Sequence, residues 1–480
     1  MNDDIQGTHS RRDFLHKLGV GAAGAAAATT LTGNATIASA RNIAPLVLRT
    51  TQKTLRVAVG GTLSPQFKSI FDSFKKKHPG VNIEFIGIQS NDWDGLVSKL
   101  LTMIAAGQPP DLTYVATEGT QQCVAKGLSF PLDDYVKRDR DQLKEYFADV
   151  HPALVEAMMY QGHLYQLPQD FNAVDMFYSP HLLAQAGFGS PPANWNKDMF
   201  YKIAKAVTKK DSHGRTTTFG YGWVVRLWGS WTPWIDAAGG DLLEFSRSPG
   251  GSWLWDTFYK GDPAAKGRGG GFTWGAPTAN NQACRDALEF MVELTKEGIA
   301  PIPSVNGGGA LQGFFASKKL AMTPGGGFWA GGLNAAGMKP TDFDVQYFPS
   351  WRTQRSHFGV VGYIMLKSSQ NKDLAWEFYK HSISRDSMNK QFVGNFSTPP
   401  RRSMMTAARY APTGPKHWQA FYSTLDRGGT RAIPAPPYYT QEANVLDKYT
   451  GLALTGGMSV KQALDSMQQQ LEGIYNGSSQ

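Results

Sequence analysis

Between residues 54 and 116 the hydrophobic pattern changes period four times, and few architectures accommodate such a run. TLRVAVG at 54–60 reads as a short β run. Phe67, Ile70, Phe71 and Phe74 then recur at helical spacing until His78-Pro79-Gly80 stops the helix. Val81, Ile83 and Phe85 alternate with Asn82 and Glu84 as a second strand. Trp93, Leu96, Val97, Leu100, Leu101 and Ile104 mark a second helix, and DLTYVA at 111–116 a third strand. Strand, helix, strand, helix, strand implies parallel pairing through right-handed crossovers, hence an α/β lobe. Ligands of open α/β sheets bind beyond the carboxyl ends of the strands. Those ends are Gly60-Gly61-Thr62, residues 87–92 and Thr117-Glu118, where Thr62 offers a hydroxyl and Glu118 a carboxylate. A turn or a helix cap is the competing reading for each.

The chain has 480 residues, too many for one core of ordinary size, so a second lobe is expected. From about 180 to 350 tryptophan, glycine and proline become frequent. Helical patterns follow at 283–297 and 371–384, a β run at 360–369, and a closing helix at 459–475 that Ser459 can cap. Between the lobes, GHLYQLPQDFNAVDMFYS at 162–179 interrupts an apolar run with Asp170, Asn172 and Asp175. Such a run either leaves the core or lines a cavity that needs polar groups.

Residues 10–15 read SRRDFL, followed by an Ala/Gly-rich apolar stretch and ASA at 38–40, the layout of a twin-arginine export signal cut after Ala40. A disordered basic tail is the alternative. No cysteine lies near the cut, so an exported, periplasmic protein without a lipid anchor is expected. Gly19, Gly21 and Gly24 match GxGxxG but follow no strand, so they do not form a dinucleotide site. Residues 1–40 balance Arg11, Arg12 and Lys17 against Asp3, Asp4 and Asp13, leaving the net charge of +9 to the remainder. That surplus makes a sugar acid or phosphate ester worth testing as ligand. No basic block interleaves with aromatics, so no nucleic-acid partner is expected. Cys123 and Cys284 lie in helical segments and read as buried small hydrophobes, with a disulfide possible in an oxidising compartment.

P-loop, HExxH, CxxC and GxSxG motifs are absent beyond residue 40, which argues against nucleotide hydrolysis and the commonest zinc sites. No metal or cofactor is expected. Aromatics are the positive signal: Trp223, Trp228, Trp231 and Trp234 are closely spaced, Phe328-Trp329 follows a glycine run, and Tyr363, Tyr438 and Tyr439 sit among glycines or prolines. Sugar rings pack their C–H faces on such side chains while carboxylates, amides and guanidinium groups take the hydroxyls. Filling a core or lobe interface is the competing role.

FKKKHPGVNIEF, AAGQPPDLTYVA, GHLYQLPQDFNAVDMFYSPHLLAQAGF with PPANW, WIDAAGGDLLE, FASKKLAMTPGGGFWA, VVGYIMLKSSQNKDLAWEFYK and STPPRRS occur in this order over nearly all of 54–478. Together they resemble the extracellular solute-binding proteins of ABC importers, the sugar-binding group that includes maltose-binding protein. The resemblance implies the type II periplasmic binding fold: two α/β lobes, each a mainly parallel sheet with flanking helices, and a ligand cleft between them. It implies lobes of 41–169 with 366–415 and of 170–365 with 416–480. The crossings would fall within LPQDFNAV, near VGYIML and around 412–435. Carried over, Glu118 and Asn172 match ligand-binding positions, Asp170 faces the same cleft, and Trp329 matches a stacking aromatic beside Phe328. Trp228 and Trp231 match an aromatic segment, and Tyr363, Arg401 and Tyr438 occupy cleft-facing stretches. Thr232-Pro233-Trp234 departs from the family's Trp-Pro order, leaving the orientation of Trp234 and Asp236 open. Asp175 would face solvent or support the hinge.

The implied function is capture of a sugar or polyol and its delivery to permease subunits by a monomer. Two alternatives keep the sequence features: a ligand-binding protein feeding a chemoreceptor, or an exported carbohydrate-active enzyme pairing Asp170 with Asp236. On this reading Trp329→Ala weakens binding by roughly 2 kcal/mol.

Overall fold

Ser64 accepts a hydrogen bond from the Phe67 amide, Pro65 opens the helix Pro65–Lys77, and Lys75 to Lys77 sit in its last turn, where cations suit the dipole. Its inward face is Phe67, Ile70, Phe71 and Phe74, all buried. With the helix Trp93–Ala105 it connects three parallel strands, Lys53–Gly60 lying between Val81–Ile88 and Leu112–Ala116. The structure is a computed structural model that describes residues 53–90, 93–303, 308–427 and 429–478. The twin-arginine segment, its GxGxxG pattern, the cut after Ala40 and residues 91–92 of the second strand end lie outside the described residues.

His357–Met365 extends the first sheet antiparallel to Leu112–Ala116 and also pairs with Asp170–Ala173 and Arg431–Ala432. Val174 is the step to a second sheet, ordered Asp344–Tyr347, Asp175–Tyr178, Leu320–Gly325, Thr216–Tyr221, Lys209–Lys210. This sheet is mixed where mainly parallel pairing is expected: only Leu320–Gly325 and Thr216–Tyr221 run parallel. Asp175–Tyr178 runs away from the first sheet, and Gly325 ends opposite Asp175, so the parallel pair runs back toward it. The loops after that pair therefore meet the first lobe, as the strand-end rule requires.

The polar residues that interrupt the apolar run 162–179 fall at this step. Asp170 and Asn172 belong to a short edge strand of the first sheet, whereas Asp175 begins a strand of the second and is fully buried, accepting a hydrogen bond from Thr424 Oγ1 at 2.6 Å. Asp175 does not face solvent; burial raises its pKa to about 7.

Four boundaries differ from expectation: Asp170–Ala173 and Arg431–Ala432, expected in the second lobe, pair in the first sheet, and two longer segments shift as well. His357–Met365 lies in the first sheet, so the return from Asp344–Tyr347 occurs over 348–356, before that strand. The antiparallel pair Leu243–Arg247 and Phe272–Pro277, with the helix Ser252–Phe258, falls within the expected second lobe but packs on the first. Leu243, Leu254, Trp255, Tyr259 and Phe272 share a core with Val150, Ala153 and Met159. After Arg431–Ala432 the helices Tyr439–Leu454 and Val460–Ser478 pack on the second lobe through Val445, Leu446, Leu464, Met467 and Leu471. Cys123 and Cys284 are free and buried in separate clusters, one in each lobe. Among the described residues no helix is long and apolar enough to cross a membrane.

Candidate functional site

Where the two lobes face each other a cavity of about 630 Å³ opens. The first lobe contributes Trp93, Tyr114, Ala116, Glu118, Asp170, Asn172 and Val361. Sheet register explains three of these: Val361 pairs with Ala116 on one side and Asp170 on the other, so all three reach the same level. The second lobe contributes Arg226 and Trp228 from the loop after one of its parallel strands, Phe328 from the start of the helix Phe328–Ala335 after the other, and Tyr439, Ala443, Asn444 and Asp447 from the helix Tyr439–Leu454.

Glu118 sits in the first turn of the helix Thr117–Ala125, where a carboxylate suits the dipole, and accepts a hydrogen bond from Thr117 Oγ1 at 3.0 Å. Across the cavity, Arg226 donates from Nε to the Trp228 carbonyl at 2.7 Å, and its guanidinium lies 5.0 Å from the Trp228 ring centre. Burial lowers the Arg226 pKa, and the Glu118 charge works against that shift. Trp228 and Phe328 stand with ring centres 5.3 Å apart. Asn172 accepts from the Phe328 amide at 3.2 Å and donates to Ser397 Oγ at 3.1 Å, so the crossing strand orients the aromatic wall of the other lobe. Gly326 allows this approach: a Cβ there would lie 2.5 Å from Asn172 Cβ.

Asp170 is a strongly perturbed acid of the cavity. Tyr114 Oη donates to Oδ2 at 2.6 Å, while the buried Oδ1 has no hydrogen bond of ordinary geometry among the described residues. Burial raises the carboxyl pKa to about 7 against the pull of the Tyr114 and Ser397 hydroxyls, and the charge of Glu118 adds to the rise. A raised folded-state pKa means the native protein holds this proton through a window where the unfolded chain, near 3.8, has lost it. Stability from this group therefore falls as pH rises from about 4 to about 7 and is level above. Asp170→Asn is expected to unfold less readily than the parent at pH above about 7, by up to ~4 kcal/mol, with the difference vanishing below about 4. Urea unfolding of both proteins across pH checks this. An unchanged difference at all pH values would mean that Asp170 ionises normally.

Five sequence-derived candidates, Glu118, Asp170, Asn172, Trp228 and Phe328, thus line one cavity. The other seven do not. Trp231 is fully buried in the second lobe and donates to Thr450 Oγ1 at 3.0 Å. Asp236 instead bonds His357 Nδ1 at 2.7 Å and pairs with Arg355, away from Asp170, so the two proposed catalytic acids do not share the cavity. Trp329 packs between Phe177 and Phe315, reaching only a side cavity of about 250 Å³. Tyr363 is covered by Tyr114, which takes its place at the cavity with ring centres 5.1 Å apart. Arg401 donates to the Ile383 carbonyl and pairs with Glu145 inside the first lobe. Tyr438, the N-cap residue, packs on Tyr475, and Tyr439, the first residue of the helix, takes the cavity side. Thr62 is exposed and lies outside the cavity lining.

Tyr439, one of the aromatics singled out from the sequence, lines the cavity, whereas sequence reasoning missed Trp93 and Tyr114 as lining residues, Arg226, and Asn444 and Asp447 on the same helix as Tyr439. Arg226 had a visible signal, a lone cation inside the apolar run WVVRLW. Among the described residues no group of three or more His, Cys, Asp or Glu could hold a metal ion.

The fold matches solved structures along nearly their whole length. An ABC substrate-binding protein of Listeria monocytogenes in complex with cycloalternan aligns over 88% of this chain and 99% of its own, with a TM-score of 0.72 at 19% identity. A solute-binding protein of Thermotoga lettingae bound with α-D-tagatose aligns over 88% and 100%, with a TM-score of 0.69 at 21% identity. Among curated sequences, a putative binding protein of Brucella abortus is 32% identical over 133 residues, covering 28% of this chain and only 30% of that protein. A maltotriose-binding protein of Pyrococcus abyssi is 23% identical over 348 residues, 70% of this chain and 64% of that one. Residues 60–388 match the sequence family of bacterial extracellular solute-binding proteins. With two α/β lobes facing a common cavity and more than half of the chain within that match, this protein belongs to the bacterial extracellular solute-binding proteins.

Proposed function

We propose that this protein is the substrate-binding component of an ABC importer, capturing a sugar or related polyol and delivering it to membrane permease subunits. The observation that carries this reading is the cavity between the lobes, where Trp228, Phe328 and Trp93 supply ring faces and Glu118, Asp170, Asn172 and Arg226 supply hydrogen-bonding groups. Ligands named for structural neighbours, cycloalternan, tagatose, maltose and ribitol, and the maltotriose- and lactose-binding relatives support the ligand class. Ligand contacts from both lobes favour the closed state over the open one, which turns occupancy into a shape the permease reads. The protein acts as a periplasmic monomer after export by the twin-arginine route. No bond is made or broken in this role.

Thermal unfolding against a panel of mono- and oligosaccharides and polyols tests the reading. A ligand at a hundred times its dissociation constant adds about 2.7 kcal/mol and raises the midpoint measurably. Trp228→Ala is expected to weaken that ligand by roughly 2 kcal/mol, as loss of a buried aromatic anchor does. A stabilising sugar recovered unchanged supports capture; a sugar consumed during the assay overturns it in favour of catalysis.

A further inference from the structure

The Trp228–Gly229 peptide is held at both ends. Arg226 Nε, in the same loop, donates to its carbonyl at 2.7 Å, and its amide donates to His357 Nε2 at 3.4 Å. His357 belongs to the other lobe: it is buried and opens the strand His357–Met365 of the first sheet. Two residues further along that strand, Gly359 lies against the Trp228 indole, where a Cβ would be 3.5 Å from both Cδ1 and Nε1. The Trp228 wall of the cavity therefore rests on first-lobe backbone and is tied to it by an imidazole.

The ring's other nitrogen fixes what this imidazole does. Nδ1 lies 2.7 Å from Asp236 Oδ2, on the second-lobe helix Thr232–Ala237. Burial works against the Asp236 charge, yet His357, Arg355 and Arg431 hold its pKa below the ordinary value, and an ionised carboxylate only accepts. Nδ1 thus carries the proton and Nε2 presents a lone pair, the tautomer that the Gly229 amide requires. Gly229 is buried, with φ at +66°, a conformation that favours glycine, and a buried amide needs an acceptor. Turning this peptide over would withdraw the carbonyl from Arg226 and move the Trp228 ring, and both side chains line the cavity. We propose that His357 is a positioning residue for ligand capture, holding the Trp228–Gly229 peptide, and through it the Trp228 ring and the Arg226 guanidinium, in the orientation that receives the ligand. This rests on the capture reading above and adds to it a residue outside the cavity lining.

Fluorine NMR of the full chain labelled with 5-fluorotryptophan tests it, the Trp228 signal being identified by its loss in Trp228→Phe. His357→Asn keeps an amide near the Nδ1 position for Asp236 and leaves Gly229 without its acceptor, whereas His357→Gln brings an amide oxygen near the Nε2 position. His357→Asn is expected to shift or broaden the Trp228 signal and to speed amide exchange over 226–231 by up to about tenfold, the step of one hydrogen bond. His357→Gln should restore both. Titration with maltose, maltotriose, tagatose and ribitol is the second arm: any of them bound by the parent should weaken by about tenfold in His357→Asn and recover in His357→Gln. In the parent itself, 15N-histidine shifts near neutral pH should show His357 protonated on Nδ1 alone; a proton on Nε2 overturns the proposal whether or not the variants fold. A Trp228 signal unmoved by His357→Asn, a moved signal with unchanged affinity, or His357→Gln behaving as His357→Asn does would overturn the positioning role and leave capture standing. If the parent bound none of the four, the capture reading would lose its support, and the fluorine and exchange results would still decide the tether.

Discussion

Trp329→Ala is expected to lower the unfolding free energy by about 3–5 kcal/mol, the range for removing a large aromatic from a packed core. The indole is 2% exposed and meets Phe177 and Phe315 with ring centres 6.0 Å away in each case. Gly325 sits against it so closely that a Cβ there would come within 2.9 Å of Trp329 Cδ1. Collapse into the space is limited because Phe177 belongs to a strand paired on both sides, by Leu320–Gly325 and Asp344–Tyr347. The measurement is urea unfolding of the variant beside ligand titration of its folded fraction. Stability should fall while affinity changes less than in Trp228→Ala. An undiminished unfolding free energy with lost affinity would return Trp329 to the ligand site.

Glu156→Ala is expected to cost about 3–5 kcal/mol, because it leaves buried partners without their counter-charge. Glu156 is fully buried; Oε1 accepts from Arg247 Nε at 2.7 Å and from the Gly269 amide at 2.9 Å, and Oε2 accepts from Arg268 Nη1 at 2.7 Å. Arg247 is half exposed and can rehydrate, so Arg268, with 13% of its side chain exposed, carries most of the loss. All three donors lie in the segment that departs from the second lobe's run of sequence to pack on the first. Loss of Glu156 should therefore loosen that segment before the sheets. Hydrogen exchange read over residues 243–277, together with urea unfolding, checks both parts. Unchanged protection there would show that Leu254, Trp255 and Phe272 hold the segment without the ion cluster.

The sequence was most informative where structure is local. The faces of Pro65–Lys77 and Trp93–Ala105, the parallel order of the first three strands and the acid beyond the third follow from spacings of a few residues, because helix and strand periods are set by the backbone itself. The polar break at Asp170 to Asp175 was equally legible as a departure from a core, since buried acids need a reason. Which aromatics face the cavity was not. Trp228 and Trp231 differ by three positions, yet one lines the cavity and the other donates to Thr450; Tyr438 and Tyr439 are neighbours with opposite roles. A core and a sugar-sized cleft both call for the same large apolar side chains, so composition cannot separate them. By itself the sequence determined the α/β elements, their parallel start and the residues available for a cleft. The tertiary structure alone decided which residues reach it, because Tyr439, Asn444 and Asp447 meet Glu118 and Asp170 only after the chain has crossed between the sheets and returned.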